Sequence, residues 1–431
     1  MAINKKDRRE LNRIRSAIDF QLEFIKGSTD HSNDLIEAKY STFVSINKDF
    51  LCHHFYDKNF QYAKTVVYGD MWHEKVGEFD KNFNFHQTYK VNRINDFLSN
   101  ASQYLPSKKS LIHISDSKKK CIILRSNHFA HHIWNDLSSL LRVYNANLLD
   151  SIDEFLVVGR PLGEIEDIFN FIPESKVYNF SNYSDLESYL KMSPNKFVYP
   201  LGDCFITEEL INYITHYVSS TIDTNIKDDL LRIKRNYDKV IWVTFKLGSK
   251  TLINQVEQLK DLIDNLSKSI PNCYFIISGF SMPVDANQSF KKRCRMFIRK
   301  ERNEYSELGH FLIQNNIAHL SLIGANLLDS IYYSLGIDYY ISHIGTIQHT
   351  PGWIANKPGI VHSNSVILNT PDHLRPGFWE RENGIKPILI NDSIVKDDEV
   401  NESSWDSNYR ITDLNIFSEQ ILNDLKLTSK S

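Results

Sequence analysis

IDYYISHIGTIQHTPGWIANKPGIVHSN (337–364) is the stretch whose reading decides the fold. Residues 337–345 form a short apolar run, rich in aromatic and β-branched residues, that stops at Gly345. A run of that length bounded by glycine reads as a buried strand. A polar, turn-rich loop follows, HTPGWIANKPG, and then IVHSN (360–364) as the next strand. Strand, glycine turn, polar loop, strand is the signature of a parallel sheet whose loops gather at the strand ends.

The same grammar extends outward. Upstream lie KVIWVTF (239–245), NCYFIISGF (272–280) and AHLSLIG (318–324), each a strand. Between them come the helical stretch VEQLKDLIDNLSKSI, a loop plus helical element over 281–305 with a local basic excess, and ANLLDSIYYSLG, a helix with glycine at its end. A second set stands earlier: KCIILRS (120–126), a helix from about Asn135 or Asp136, DEFLVVGR (153–160), a helical period over 161–173, then KVYNF, DLESYLKM, KFVYPLG and a helix over about Thr207 to Tyr217. Strands alternating with helices predict βαβ units.

The chain's 431 residues exceed what one core usually supports. The polar, charged segment 220–237 reads as a helix leading between domains. The expected organisation is an extension over 1–110, helical at 1–30 and mixed beyond, a first Rossmann-like domain over 111–230, a second over 231–400, and a helix packing back within 401–431. The fold class is α/β.

Composition sets limits. The net charge of −3 argues against nucleic acid as a partner. Cys52, Cys121, Cys204, Cys273 and Cys294 are far apart, which speaks against zinc ribbons and disulfide scaffolds and fits a reducing, cytoplasmic compartment. No apolar run is long enough to cross a membrane. The basic start, MAINKKDRRELNRIRSAIDF, reads as a solvated helix face, with peripheral attachment to the inner face of a membrane the competing reading.

Chemistry-bearing residues fall in the loops after strands. After 121–124 come Arg125, Ser126, Asn127, His128, His131 and His132, leading into Trp134, Asn135 and Asp136. A histidine there suits general-base work on a hydroxyl, because its pKa is near neutral. The plainer reading is a capped loop with solvated rings. After 239–245 come Lys246, Gly248, Ser249 and Lys250, a lysine and amides fit for a diphosphate, or else an ordinary turn. After 337–341 come Ser342, His343, Gly345, Thr346, Gln348 and His349, then Trp353. Gly345 allows close approach to a phosphate, Thr346 can donate to it, and either histidine can meet charge on a leaving group. Gly279 and Phe280, with Met282 and Pro283, are placed to pack on a base; Asn326 and Asp329 read equally as capping; His362, Ser363 and Asn364 close the next strand. No Walker loop, GxGxxG, HExxH, GxSxG or DxD is present, so no cofactor and no essential metal are expected.

The two α/β units, the charged bridge and the C-terminal helix resemble glycosyltransferases of the GT-B architecture over roughly 115–430, most sharply at 239–248, Gly279 and 338–364. The resemblance implies two Rossmann-like domains with parallel sheets facing a central cleft. It implies a bacterial surface-polysaccharide or glycan enzyme that moves a sugar from a nucleotide-sugar to an acceptor hydroxyl. Lys246, Gly248, Gly279, Phe280, His343, Gly345, Thr346 and His349 would hold the donor. Arg125, Asn127 and Trp134 would meet the acceptor, and His128, His131, His132 and Asp136 would supply catalysis. The absence of a glutamate-rich donor signature tilts this toward inversion. A nucleotide-sugar epimerase or hydrolase and a non-catalytic carbohydrate- or nucleotide-binding protein are the alternatives. Oligomeric state is not legible.

Overall fold

The computed structural model describes residues 41–46, 51–56, 62–68, 75–80, 82, 84–87, 98, 119–192, 196–199, 205–248, 250–286, 288–370, 381–398 and 406–428. It divides into two compact units, Met1–Phe205 and Ile206–Ser431. Both contain parallel sheets with helices between the strands, so the class is α/β.

In unit 1, five antiparallel strands follow one another in order: β1 (Ser41–Ile46), β2 (Leu51–Tyr56), β3 (Tyr62–Tyr68), β4 (Lys75–Phe79) and β5 (Phe85–Gln87). The sequence showed no clean period here, and the mixed segment it suggested contains this meander. The helix expected over 1–30 lies outside the described residues.

The parallel sheet of unit 1 has β6 (Lys119–Leu124), β7 (Glu154–Val157), β8 (Val177–Asn179) and β9 (Lys196–Tyr199) in the order β8-β7-β6-β9. The helix after β6 starts at Phe129, earlier than expected, because a π-turn over His132–Leu137 joins Phe129–His131 to Ser138–Asn145. Of the helical period over 161–173 only Ile165–Ile168 is α-helix; Phe169 and Ile172 are buried outside that turn.

Unit 2 is built on β10 (Lys239–Thr244), β11 (Cys273–Ser278), β12 (His319–Ser321), β13 (Tyr339–His343), β14 (Gly359–His362) and β15 (Ile388–Leu389). All are parallel, in the order β12-β11-β10-β13-β14-β15. Counted along the chain that is 3-2-1-4-5-6, the doubly wound dinucleotide-fold order. The central strands are covered on both faces. Ile241, Val243, Phe275, Ile277 and Ile341 share a core with helix residues Leu259, Leu308 and Phe417, while Val240, Trp242, Ile276 and Tyr340 share another with Leu230 and Ile233. This is why the strands read as unbroken apolar runs rather than alternating ones.

Two expectations change here. The charged segment is not a bridge: the helix Thr224–Asn236, capped by Asp223, buries Leu230 and Ile233 within unit 2, and the division falls earlier, after Phe205. The basic element is one long helix, Gln288–Gln314, with Cys294, Ile298, Glu301, Leu308 and Leu312 on its buried face. The C-terminal helix, Leu414–Thr428, places Phe417, Ile421 and Leu425 in the core of unit 2, and Asp424 accepts from the Tyr339 hydroxyl at 2.8 Å. A short antiparallel pair, β16 (Val395–Asp397) and β17 (Tyr409–Ile411), completes the unit.

Candidate functional site

In an open parallel sheet the crevice opens where the strand order reverses, because there the loops depart in opposite directions. In unit 1 that point lies between β6 and β9, and in unit 2 between β10 and β13. The loop after β6 carries the histidine cluster. Lys246 lies in the loop after β10, and His343 is the last residue of β13.

In unit 1 the chain from Arg125 to His128 is held by a carboxylate on the following helix. Asp136 Oδ2 accepts from the amides of Arg125 (3.1 Å) and Ser126 (2.9 Å) and stands 3.3 Å from His132 Nδ1. Asp136 and His132 are both buried. A carboxylate accepts, so His132 Nδ1 donates, and its Nε2 is left as a lone pair; that atom is buried with no hydrogen-bond partner. His131 and His128 are exposed. His131 Nδ1 lies 2.9 Å from Asn135 Oδ1, and its ring sits between those of His128 and Trp134, at 5.2 and 6.1 Å. The Ser138 and Ser139 hydroxyls bond back to carbonyls of the π-turn, Ser138 to Ile133 O at 2.9 Å and Ser139 to Asn135 O at 2.6 Å. Such turns are frequent at functional sites. Arg125 and Asn127 are half-buried along the same loop, as is Trp134 on the helix.

In unit 2 the switch point collects basic nitrogens. His343 ends β13 and is packed 4.4 Å, ring to ring, from His362 at the end of β14. Burial holds both neutral: His343 lies well below the usual imidazole value, and His362 falls to about 3, with Lys246 adding to the push in each case. His343 Nε2 and Ser363 Oγ are buried without a hydrogen-bond partner. Lys246 follows β10, and burial together with neighbouring Lys250 pulls its pKa down to about 8. Gly248 and Gly345 both have positive φ, +110° and +116°, and a Cβ at either would meet nothing within 4 Å. These glycines are therefore required by backbone shape, and each borders open space. Gly345 starts the helical turn Thr346–His349, where no side chain caps the first amides; Thr346 is exposed.

Other expected donor residues have different employment. A Cβ at Gly279 would lie 2.6 Å from Glu301 Oε2, so its smallness makes room for that carboxylate. Phe280 lies nearly parallel to Phe297, with centroids 6.0 Å apart, and its amide donates to Glu301 at 2.6 Å. His349 is buried and stacked on Trp353, with centroids 3.4 Å apart. Asn326 caps its helix through Leu328 N at 2.9 Å.

Glu301 is the residue that the sequence did not mark. It comes from the long basic helix to the ends of β10 and β11, where the amides of Phe280 and Leu247 donate to it, and burial raises its carboxyl to about 7. One of two glutamates in KERNEY (300–305), it carries no local signal of burial. Among the described residues there is no group of three or more His, Cys, Asp or Glu side chains arranged to hold a metal ion.

No protein-family model and no curated protein matches the sequence. Among solved structures the chain is similar to Escherichia coli ADP-heptose LPS heptosyltransferase II, at 11% identity over 73% of this chain and 100% of that one, TM-score 0.40. It is similar also to a family 9 glycosyl transferase from Veillonella parvula DSM 2008, at 11% identity over 73% and 98%, TM-score 0.38. A third is Anabaena Alr3699/HepE in complex with UDP-glucose, at 11% identity over 57% and 80%, TM-score 0.21. At such TM-scores the chemistry has to come from the site's own residues.

Proposed function

We propose that this protein is a glycosyltransferase that takes a sugar from a nucleoside-diphosphate donor, held by unit 2, and passes it to a glycan hydroxyl. The observation that carries the reading is the switch point of unit 2: Lys246, the buried His343, and two positive-φ glycines beside open space at adjacent strand ends. A diphosphate suits that combination. Backbone amides at Gly345 and Thr346 and the Lys246 ammonium all favour anionic oxygens.

The transfer is a direct displacement with inversion. His132 Nε2 takes the proton of the acceptor hydroxyl, whose oxygen attacks the anomeric carbon as the bond to the diphosphate oxygen breaks. Asp136 keeps the proton on Nδ1 and stabilises the imidazolium that forms. Charge developing on the leaving diphosphate falls to Lys246 and the amides after Gly345, which take the part a divalent cation plays elsewhere. Arg125, Asn127 and Trp134 contact the acceptor. The exposure of His131 favours a second assignment, with that ring as the base.

Calorimetric titration with UDP-, GDP-, CMP-, ADP- and dTDP-sugars, with and without Mg²⁺, tests the donor site. One nucleotide should bind without added metal, and Lys246→Ala should weaken it at least tenfold. If no nucleotide binds in either condition, a carbohydrate-binding protein becomes the better reading. Binding with hydrolysis or epimerisation, but no transfer, favours those enzyme classes.

A further inference from the structure

Thr244 is the last residue of β10 and is fully buried. Its Oγ1 accepts from the backbone N–H of His343 at 3.0 Å and stands 3.1 Å from His343 Nδ1. The contact spans the two strands between which the order of the sheet reverses.

A hydroxyl has one proton to place, and the neutral ring has one. Were the ring proton on Nδ1, it would donate to Oγ1. The hydroxyl proton and the Nε2 lone pair would then both be buried without a partner. With the ring proton on Nε2, the hydroxyl donates to Nδ1, and only the Nε2–H is unmet. Unmet buried polar groups are costly, so one is preferred to two. The neighbouring ring follows the same rule: the buried Tyr409 hydroxyl lies 2.7 Å from His362 Nδ1 and donates to it. His132 is the opposite case, since its Nδ1 faces the acceptor Asp136. The protein thus keeps histidines of both tautomers, one presenting a lone pair and the other a proton. The Ser363 hydroxyl, one residue beyond the register partner of His343, is also buried without a partner. Both call for a guest oxygen.

We infer that Thr244 is a positioning residue that locks His343 in its Nε2–H tautomer, so that the ring meets the donor as a neutral hydrogen-bond donor to a diphosphate oxygen and not as a base. The identity of that oxygen rests on the donor-site reading above; the tautomer does not. A histidine used this way discriminates by geometry and by the presence of an acceptor, with no titration of its own near neutral pH.

Long-range ¹H–¹⁵N correlation spectra of the full-length protein read the tautomer directly, with His343→Gln identifying the ring. The expected result is Nε2–H for His343 in the free protein, a mixed or inverted tautomer in Thr244→Val, and restoration in Thr244→Ser. An Nδ1–H pattern in the wild type overturns the lock even if the valine variant does not fold, and so does a folded Thr244→Val with an unchanged ring. Titration with UDP, GDP, CDP, ADP and dTDP then tests the guest. One of them should move the Nε2–H resonance, with about tenfold weaker binding in Thr244→Val, equivalent to about 1.4 kcal/mol. If the lock is present but no nucleoside diphosphate moves that resonance, the diphosphate assignment is overturned and the tautomer assignment stands.

Discussion

Replacing Gly159 by alanine should disable the histidine loop of unit 1 from a distance. Gly159 follows the end of β7, and a Cβ there would lie 2.3 Å from both the carbonyl carbon and oxygen of Ser126, and 2.6 Å from the amide nitrogen of Asn127. All three are main-chain atoms, so no side chain can rotate away. The loop after β6 must shift by about an ångström, and overpacking of this kind costs about 1–3 kcal/mol. The shift also pulls at the amides of Arg125 and Ser126, which hold Asp136 Oδ2. Hydrogen bonds to a charged group contribute about 1.5–3 kcal/mol each. Partial loss of the pair brings the total to about 2–5 kcal/mol, a large share of the ~5–15 kcal/mol that keeps a domain folded. Hydrogen exchange followed by mass spectrometry reads it locally. Peptides covering 120–137 should exchange about 30-fold faster or more, while those of unit 2 stay as in the wild type. Gly248→Ala is the control: its cost is backbone strain alone, because a Cβ there meets nothing within 4 Å. Exchange over 120–137 within threefold of the wild type in Gly159→Ala would refute the account of how this loop is held.

Three more outcomes follow from the buried charges of unit 2. Glu301 has a raised pKa, about 7 against an ordinary 4.5, so the folded state holds a proton that the unfolded state has lost between those values. Stability should therefore fall as pH rises from about 4.5 through 7, and urea midpoints of Glu301→Gln should lack that fall. Lys246 is shifted the other way, to about 8, so stability should rise between pH 8 and the ordinary lysine range, whereas nucleotide affinity should drop above pH 8 as the ammonium is lost. Lys250→Met removes the like charge that helps depress Lys246; calorimetry should show the affinity drop displaced to higher pH.

The two parallel sheets were legible because strands buried on both faces leave continuous apolar runs: VIWV, CYFIIS and YYIS needed no partner to be recognised. The strand orders were not, since nothing local in β10 says that β11 and β13 flank it. Order nevertheless decides which strand ends meet, so nothing local tied His343 to Thr244, which reads as one more strand residue. Gly279 and Glu301 illustrate the same limit. The glycine was visible and its purpose was not, because the carboxylate filling its space arrives from a helix on another part of the chain. The charged helix Thr224–Asn236 misled for a simpler reason: its apolar stripe is narrow, with only Leu230 and Ile233 buried, and charge dominates its composition. The meander of β1–β5 left no clean alternation to read.

The most direct test of the central claim is the slow release of nucleoside diphosphate from the bound donor, with water as acceptor, alongside donor affinity in the same samples. His132→Ala should bind donor as the wild type does and release product at least a hundredfold more slowly, with Lys246→Ala losing affinity instead and His131→Ala retaining both. Wild-type release from His132→Ala, or loss of donor binding in it, would contradict the division of labour between the two units.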